Sequence, residues 1–215
     1  MHYHTNIRSS FFFVLSNLGF KKTIQTVLKN TLWISQYYVL RANLDQISPP
    51  RKSRVQYCIK KMDVVDITEI RDNLKSLGPI DKKELILRLF FYEAGFKNCY
   101  VARNTKGQIV YLQWLIYPYE NVIIKSRFGS RFYPLKEKEV MLENAFTFPR
   151  FRGLGLLPSV SAQLLDIARQ DGYASCITYI RKDQIVSLNE FTRLGFKITK
   201  LVREFKFLGV TRRML

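Results

Sequence analysis

The chain has 215 residues, of which 47% are hydrophobic and 24% charged, and a formal net charge of +18 at pH 7. That apolar content suffices for one well-formed core and excludes a disordered polymer. Cys58, Cys99 and Cys176 are far apart, odd in number and not in C-x-x-C pairs, and His2 and His4 are the only histidines, so neither a disulfide framework nor a zinc site is indicated and the pattern argues against histidine-based catalysis.

The longest purely apolar run, Phe11 to Leu15, is far short of the roughly 20 residues that cross a bilayer, and no small-residue cleavage site follows it. The N-terminus is therefore read as retained, without a membrane span, and the thiols as those of a reducing cytoplasm. The basic residues are spread along the chain, not gathered in a tail. A field of this sign attracts a polyanion: a phosphorylated cofactor, an acidic carrier protein, an anionic membrane surface or a nucleic acid.

Ser48-Pro49-Pro50-Arg51-Lys52-Ser53 is the first break, since two prolines continue neither a helix nor a central strand. It divides the sequence into a basic N-terminal extension, 1–54, and a larger domain, 55–215. In the extension, Ile24, Val27, Leu28, Leu32 and Trp33 recur at helical spacing, and Tyr38, Leu40, Ala42 and Leu44 alternate as a strand. Beyond the break a strand is expected at Val55 to Lys61, a helix at Val64 to Leu77, and a second helix capped by Asp81 and stopped at Gly95. Cys99 to Arg103 and Ile109 to Tyr117 form a hairpin around Thr105-Lys106-Gly107. A strand at Glu139 to Phe148 leads through a glycine turn into a helix whose Leu157, Val160, Leu164 and Ile167 share a face. A strand at Cys176 to Ile180, a helix at Asp183 to Leu194 and a closing strand or strand pair at Lys197 to Phe207 complete the order. This alternation defines a mixed α/β sheet with helices on its faces.

Chemistry concentrates in Phe146-Thr147-Phe148-Pro149-Arg150-Phe151-Arg152-Gly153-Leu154-Gly155-Leu156-Leu157, a passage from strand through glycine turn to helix. Glycines let the backbone approach a phosphate, and a helix start presents unpaired N–H groups and a positive dipole end. Alone, G-x-G is weak, because ordinary strand-to-helix turns also carry glycine pairs. Pro158 completes neither a dinucleotide fingerprint nor a Walker loop.

In its wider context the segment resembles the GNAT acetyltransferase superfamily. Arg150-Phe-Arg-Gly153-Leu-Gly155 is similar to the family's Q/R-x-x-G-x-G/A loop, Leu142 to Phe146 to its fourth strand, and Phe191-Thr-Arg-Leu-Gly195-Phe196 to its Y-x-K-x-G-F helix end. The resemblance covers about residues 55 to 207. It implies a mixed, mostly antiparallel sheet splayed between the family's fourth and fifth strands, with helices on both faces. It also implies acetyl-CoA or another acyl-CoA as co-substrate without a metal, and direct attack by an amine of a small molecule or sugar. On that basis Arg150, Phe151, Arg152, Gly153, Leu154, Gly155, Leu156 and Leu157 form the cofactor loop, and Phe148 is the candidate N–H donor to the thioester carbonyl. Glu143 is the leading general base, with a plain strand carboxylate paired to Lys136 or Lys138 as the alternative. Glu93 and Glu120 are weaker candidates. Gln184 and Ser187 fall where the family holds polar cofactor contacts, and Ser187 is assigned to catalysis as well, with a helix-surface serine as the alternative. Phe191 falls at the position of the family's general-acid tyrosine and cannot donate a proton.

Tyr92, Phe96, Trp114, Tyr117, Tyr119 and Tyr133 are expected along the acceptor side, as core, rim or pocket. Three further readings stay open: an acyl-carrier-protein donor, a non-catalytic GNAT shell, and a basic nucleic-acid-binding module, against which the scattered charge argues. The extension is expected either to pack on the sheet or to pair with a second subunit in a homodimer.

Overall fold

A computed structural model describes residues 32–129, 132–207 and 210–214. An eight-stranded sheet organises them in the order β2-β3-β4-β5-β6-β1-β7-β8. The strands are β1 (Leu32–Asn43), β2 (Tyr57–Lys61), β3 (Cys99–Asn104), β4 (Ile109–Ile116), β5 (Glu139–Thr147), β6 (Ser175–Arg181), β7 (Lys197–Phe207) and β8 (Val210–Met214). All neighbours are antiparallel except β5 and β6.

Helices α1 (Val64–Asn73), α2 (Pro79–Glu93) and α3 (Asn121–Phe128) cover one face, and α4 (Leu156–Gln170) and α5 (Ile185–Arg193) the other. Every residue of β4 is buried, as a central strand covered on both faces requires. On the first face Phe91, Phe96, Trp114 and Phe128 pack ring to ring. On the second, α4 buries Leu156, Val160, Leu164, Leu165 and Ala168, whereas Leu157 and Ile167 of the expected stripe are only partly covered. Ser161 is buried with them, and its hydroxyl donates to Gln113 Oε1 at 2.9 Å, an acceptor shared with Tyr111 at 2.8 Å.

The strand expected in the extension is β1, and it lies within the sheet, between β6 and β7. Residues 32–43 thus share hydrogen bonds with residues on the other side of the division at 54, Ala42 opposite Cys176 and Tyr38 opposite Leu201. Leu32 and Trp33 belong to this strand, not to a helix; the rest of the expected helix lies outside the described residues.

Helix α2 starts earlier than expected. Gly78 is its N-cap and Pro79 fills the first helical position, where a missing N–H costs nothing. Asp81, expected as the cap, sits one turn inside and pairs with Arg152.

Candidate active site: a forked strand pair and a glycine loop

Strands β5 and β6 pair only at Glu139–Ser175, Val140–Cys176 and Met141–Ile177, and then part. The cause is local to β5. Between Leu112–Phe146 and Trp114–Glu143 the register slips, so Asn144 and Ala145 together face Gln113 as a bulge. Asn144 has φ +56, a left-handed conformation that asparagine tolerates better than most residues. Arg88 of α2 holds the bulge: its Nε donates to Asn144 O at 3.0 Å and its Nη2 to Ala145 O at 2.8 Å. Glu84, one turn earlier, fixes the same guanidinium at 2.8 Å.

Glu143 stands at the fork. Its Oε1 accepts from Tyr179 N–H at 3.2 Å. Protein encloses the carboxyl on most sides, and this desolvation pushes its pKa up to about 7, against the opposing pull of Arg213 and Arg88. Among the described residues no ion pair joins Glu143 to Lys136 or Lys138, and the Lys138 ammonium reaches Gly172 O. Nearby, the Arg213 guanidinium of β8 pairs with Glu204 at 2.8 Å and lies over the rings of Tyr37, Tyr179 and Phe132 at 4.6, 5.0 and 5.1 Å. The other acidic candidates are occupied: Glu93 pairs with Arg71 at 2.9 Å, and Glu120 is buried under Asn98 and the Tyr117 N–H.

At the far end of β5, Pro149–Phe151 makes a single 3-10 turn, and Gly153 (φ +73) and Gly155 (φ +80) turn the chain into α4. Among the described residues, the N–H groups of Gly153 to Leu157 have no protein acceptor. A Cβ on Gly153 would meet nothing within 4 Å, so one side of the loop is open. This arrangement suits an anion carrying phosphate. Arg150 is exposed and lines a 450 Å3 cavity with Phe148, Phe151, Glu69 and Asp81. Arg152 is turned away, paired with Asp81 and donating to Thr147 O at 3.2 Å. Leu154 and Leu157 are half-buried, and Leu156 is fully buried.

Two expected roles change. The Phe148 N–H donates to Val110 O at 3.1 Å, because pairing with β4 continues past the end of β5; it is not aimed into the fork. Phe191 is 4% exposed and packs edge-on against Phe196 at 5.1 Å, as core. Ser187 lies half-buried in the first turn of α5, and Gln184 is the exposed N-cap of that helix. Of the expected aromatic group, Phe96 and Trp114 are core, Tyr117 stacks on Tyr119 at 5.4 Å, and Tyr92 carries Lys97 over its ring. Tyr133 alone reaches the fork, through its N–H to Tyr179 Oη at 2.9 Å. Sequence reasoning missed Arg88, Arg213 and the residues 52–54 that touch the loop. Only Asn144 carried a signal, as a residue type suited to positive φ.

Cys176 is buried, and burial pushes its thiol pKa well up, so it is no nucleophile. Among the described residues no cluster could hold a metal ion, and no helix is long and apolar enough to cross a membrane.

No family model and no curated protein matches the chain in sequence. Solved structures do match in fold. One is the GCN5-related glucosamine N-acetyltransferase region of a fungal multi-domain GH3 β-N-acetylglucosaminidase, with a TM-score of 0.60 at 15% identity over 85% of this chain and 22% of that one. Another is a GCN5-related N-acetyltransferase from Sphaerobacter thermophilus, with a TM-score of 0.55 at 11% identity over 89% of this chain and 57% of that one. A GNAT-family acetyltransferase from Colwellia psychrerythraea gives 0.54 at 12% identity over 88% and 62%. The chain has the GNAT fold. It spans less than two thirds of each of these three structures.

Proposed function

We propose that this chain is an acyltransferase that moves an acetyl or other acyl group from acyl-CoA to the amine of a small molecule or sugar. The observation that carries the reading is the fork of β5 and β6, with Glu143 at its apex and the glycine loop at the end of the same strand. The loop fits the donor's pyrophosphate, since it offers N–H groups that no protein acceptor uses and an open side at Gly153. The donor, when bound, supplies an activated acyl thioester.

Glu143, with a pKa of about 7, accepts the proton of the substrate ammonium near neutrality. The freed nitrogen lone pair attacks the acyl carbon; the C–N bond forms, the C–S bond breaks with the electron pair leaving on sulfur, and the second proton shed by the nitrogen goes to that thiolate to give the free thiol. Ser187, at the start of α5, is the side chain assigned to hydrogen-bond the departing thiolate, because Phe191 is apolar and buried. Gln184, exposed beside it, is assigned to the pantetheine arm. The net charge of +18 favours a phosphorylated donor, and also an acidic acyl-carrier protein bearing the same arm.

The test is thermal unfolding with and without acetyl-CoA, alongside a Gly153→Glu variant. A rise in Tm for the wild type that the variant loses supports the reading. No rise with acetyl-CoA or longer acyl-CoAs overturns it for CoA donors.

A further inference from the structure

The segment joining β1 to β2 lies against the outer side of α4 and ends on the glycine loop. Leu44 N–H donates to Ala174 O at 2.9 Å, and Ser48 N–H to Leu194 O at 3.1 Å. At the loop, Arg54 N–H donates to Leu154 O at 2.9 Å. The Ser53 hydroxyl divides its one proton between Val55 O at 2.9 Å and the same Leu154 oxygen at 3.3 Å, and Arg54 Nη2 lies 3.4 Å from Gly153 O. Ser53 is itself fixed, its Oγ accepting Val55 N–H at 3.0 Å. Just beyond, Tyr57 Oη and Ser159 Oγ meet at 2.6 Å, and Gln163 donates to Tyr57 at 3.0 Å, so the strap is tied to the first turns of α4.

The consequence follows from the planarity of the peptide group. In a trans peptide the C=O and N–H of one unit point in opposite directions. The Gly153 and Leu154 carbonyls are turned toward the strap, so the Leu154 and Gly155 N–H groups of the same units point away from it. The strap side is closed: a Cβ on Gly155 would lie 3.1 Å from Lys52 O, whereas one on Gly153 would meet open space.

We propose that Ser53 and Arg54 are positioning residues for the donor's phosphate, orienting the Leu154 and Gly155 amides by holding the carbonyls behind them. The proposal rests on the acyl-CoA reading and adds to it a brace from a part of the chain more than 90 residues away in sequence. Preorganised donors need no reorientation on binding, which is where such a brace acts.

Calorimetric titration of the full chain with acetyl-CoA and, separately, with acetyl-pantetheine, which has no phosphate, tests it. Ser53→Ala removes the hydroxyl, Arg54→Pro removes the N–H, and Arg54→Ala keeps that N–H while removing the guanidinium. Ser53→Ala and Arg54→Pro are expected to weaken acetyl-CoA by about tenfold, the scale of one hydrogen bond, with acetyl-pantetheine unchanged. Ser53→Thr, which keeps the hydroxyl, should restore wild-type affinity. Wild-type affinity for acetyl-CoA in Ser53→Ala overturns the proposal, as does an equal loss for both ligands, which would mark general damage. Should Arg54→Pro fail to fold, Ser53→Ala alone decides. Failure of the wild type to bind acetyl-CoA would remove the functional reading itself, a result distinct from failure of the brace.

Discussion

Tyr179 donates its backbone N–H to Glu143 Oε1 at 3.2 Å across the point where β5 and β6 cease to pair. A carboxylate thus takes the place of the next ladder carbonyl, and the strand N–H freed by the fork finds an acceptor that can also carry a proton.

Glu143→Gln is expected to lower kcat by about 10²- to 10⁴-fold, the usual worth of a general base. In the wild type, kcat/KM should fall below about pH 7 as Glu143 protonates, and the variant should lack that limb. Stability runs the opposite way. Glu143 binds its proton more tightly folded than unfolded, so its effect on stability is most favourable below the ordinary carboxylate range and worsens as pH rises to about 7. Urea titrations at pH 4 and pH 8 should show the variant gaining on the wild type at the higher pH only.

Arg213→Gln removes a cation that opposes the rise in the Glu143 pKa. The acid limb of the pH profile should move to higher pH. A profile unchanged in the variant would show that Arg213 does not act on Glu143 and serves instead its ion pair with Glu204 and the packing of the three surrounding rings.

Arg88→Met should destabilise the protein by about 1 to 3 kcal/mol, because the Asn144 and Ala145 carbonyls lose charge-assisted partners. Activity should fall further than stability explains, since the bulge sets where Glu143 points. Denaturant midpoints and kcat on the same samples separate the two effects.

Gly155→Ala is expected to cost more than Gly153→Ala in chemical denaturation. Each forces a Cβ into positive φ, worth about 1 to 2 kcal/mol, but only at Gly155 does the new atom press on Lys52 O.

Phe191→Tyr, which would restore the tyrosine of the motif it resembles, should lower Tm without raising kcat. Its hydroxyl would enter a 4% exposed core position beside Phe196.

Much of this architecture could be read from local pattern. The alternation at Tyr38 to Leu44, the hairpin at Thr105 to Gly107 and the glycine turn before α4 each carry their geometry in a few neighbouring residues. Where β1 goes could not be read so, because pairing with β6 and β7 is set by contacts formed only after the chain has travelled around the sheet. The loop's identity was legible and its surroundings were not. Arg152 looked like a phosphate cation until Asp81 claimed it, and Ser53 and Arg54 looked like linker. Phe148 failed as a donor for a related reason, since which way a strand-end N–H points depends on how far the neighbouring strand extends.

The insertion of β1 between β6 and β7 also bears on how the protein is made. On the ribosome, residues 32–43 are made before either flanking strand, so one edge waits for β6 and the other longer still for β7. Until β6 arrives both edges of the strand stand open, so folding should be slow for a chain of this size and sensitive to chaperone supply.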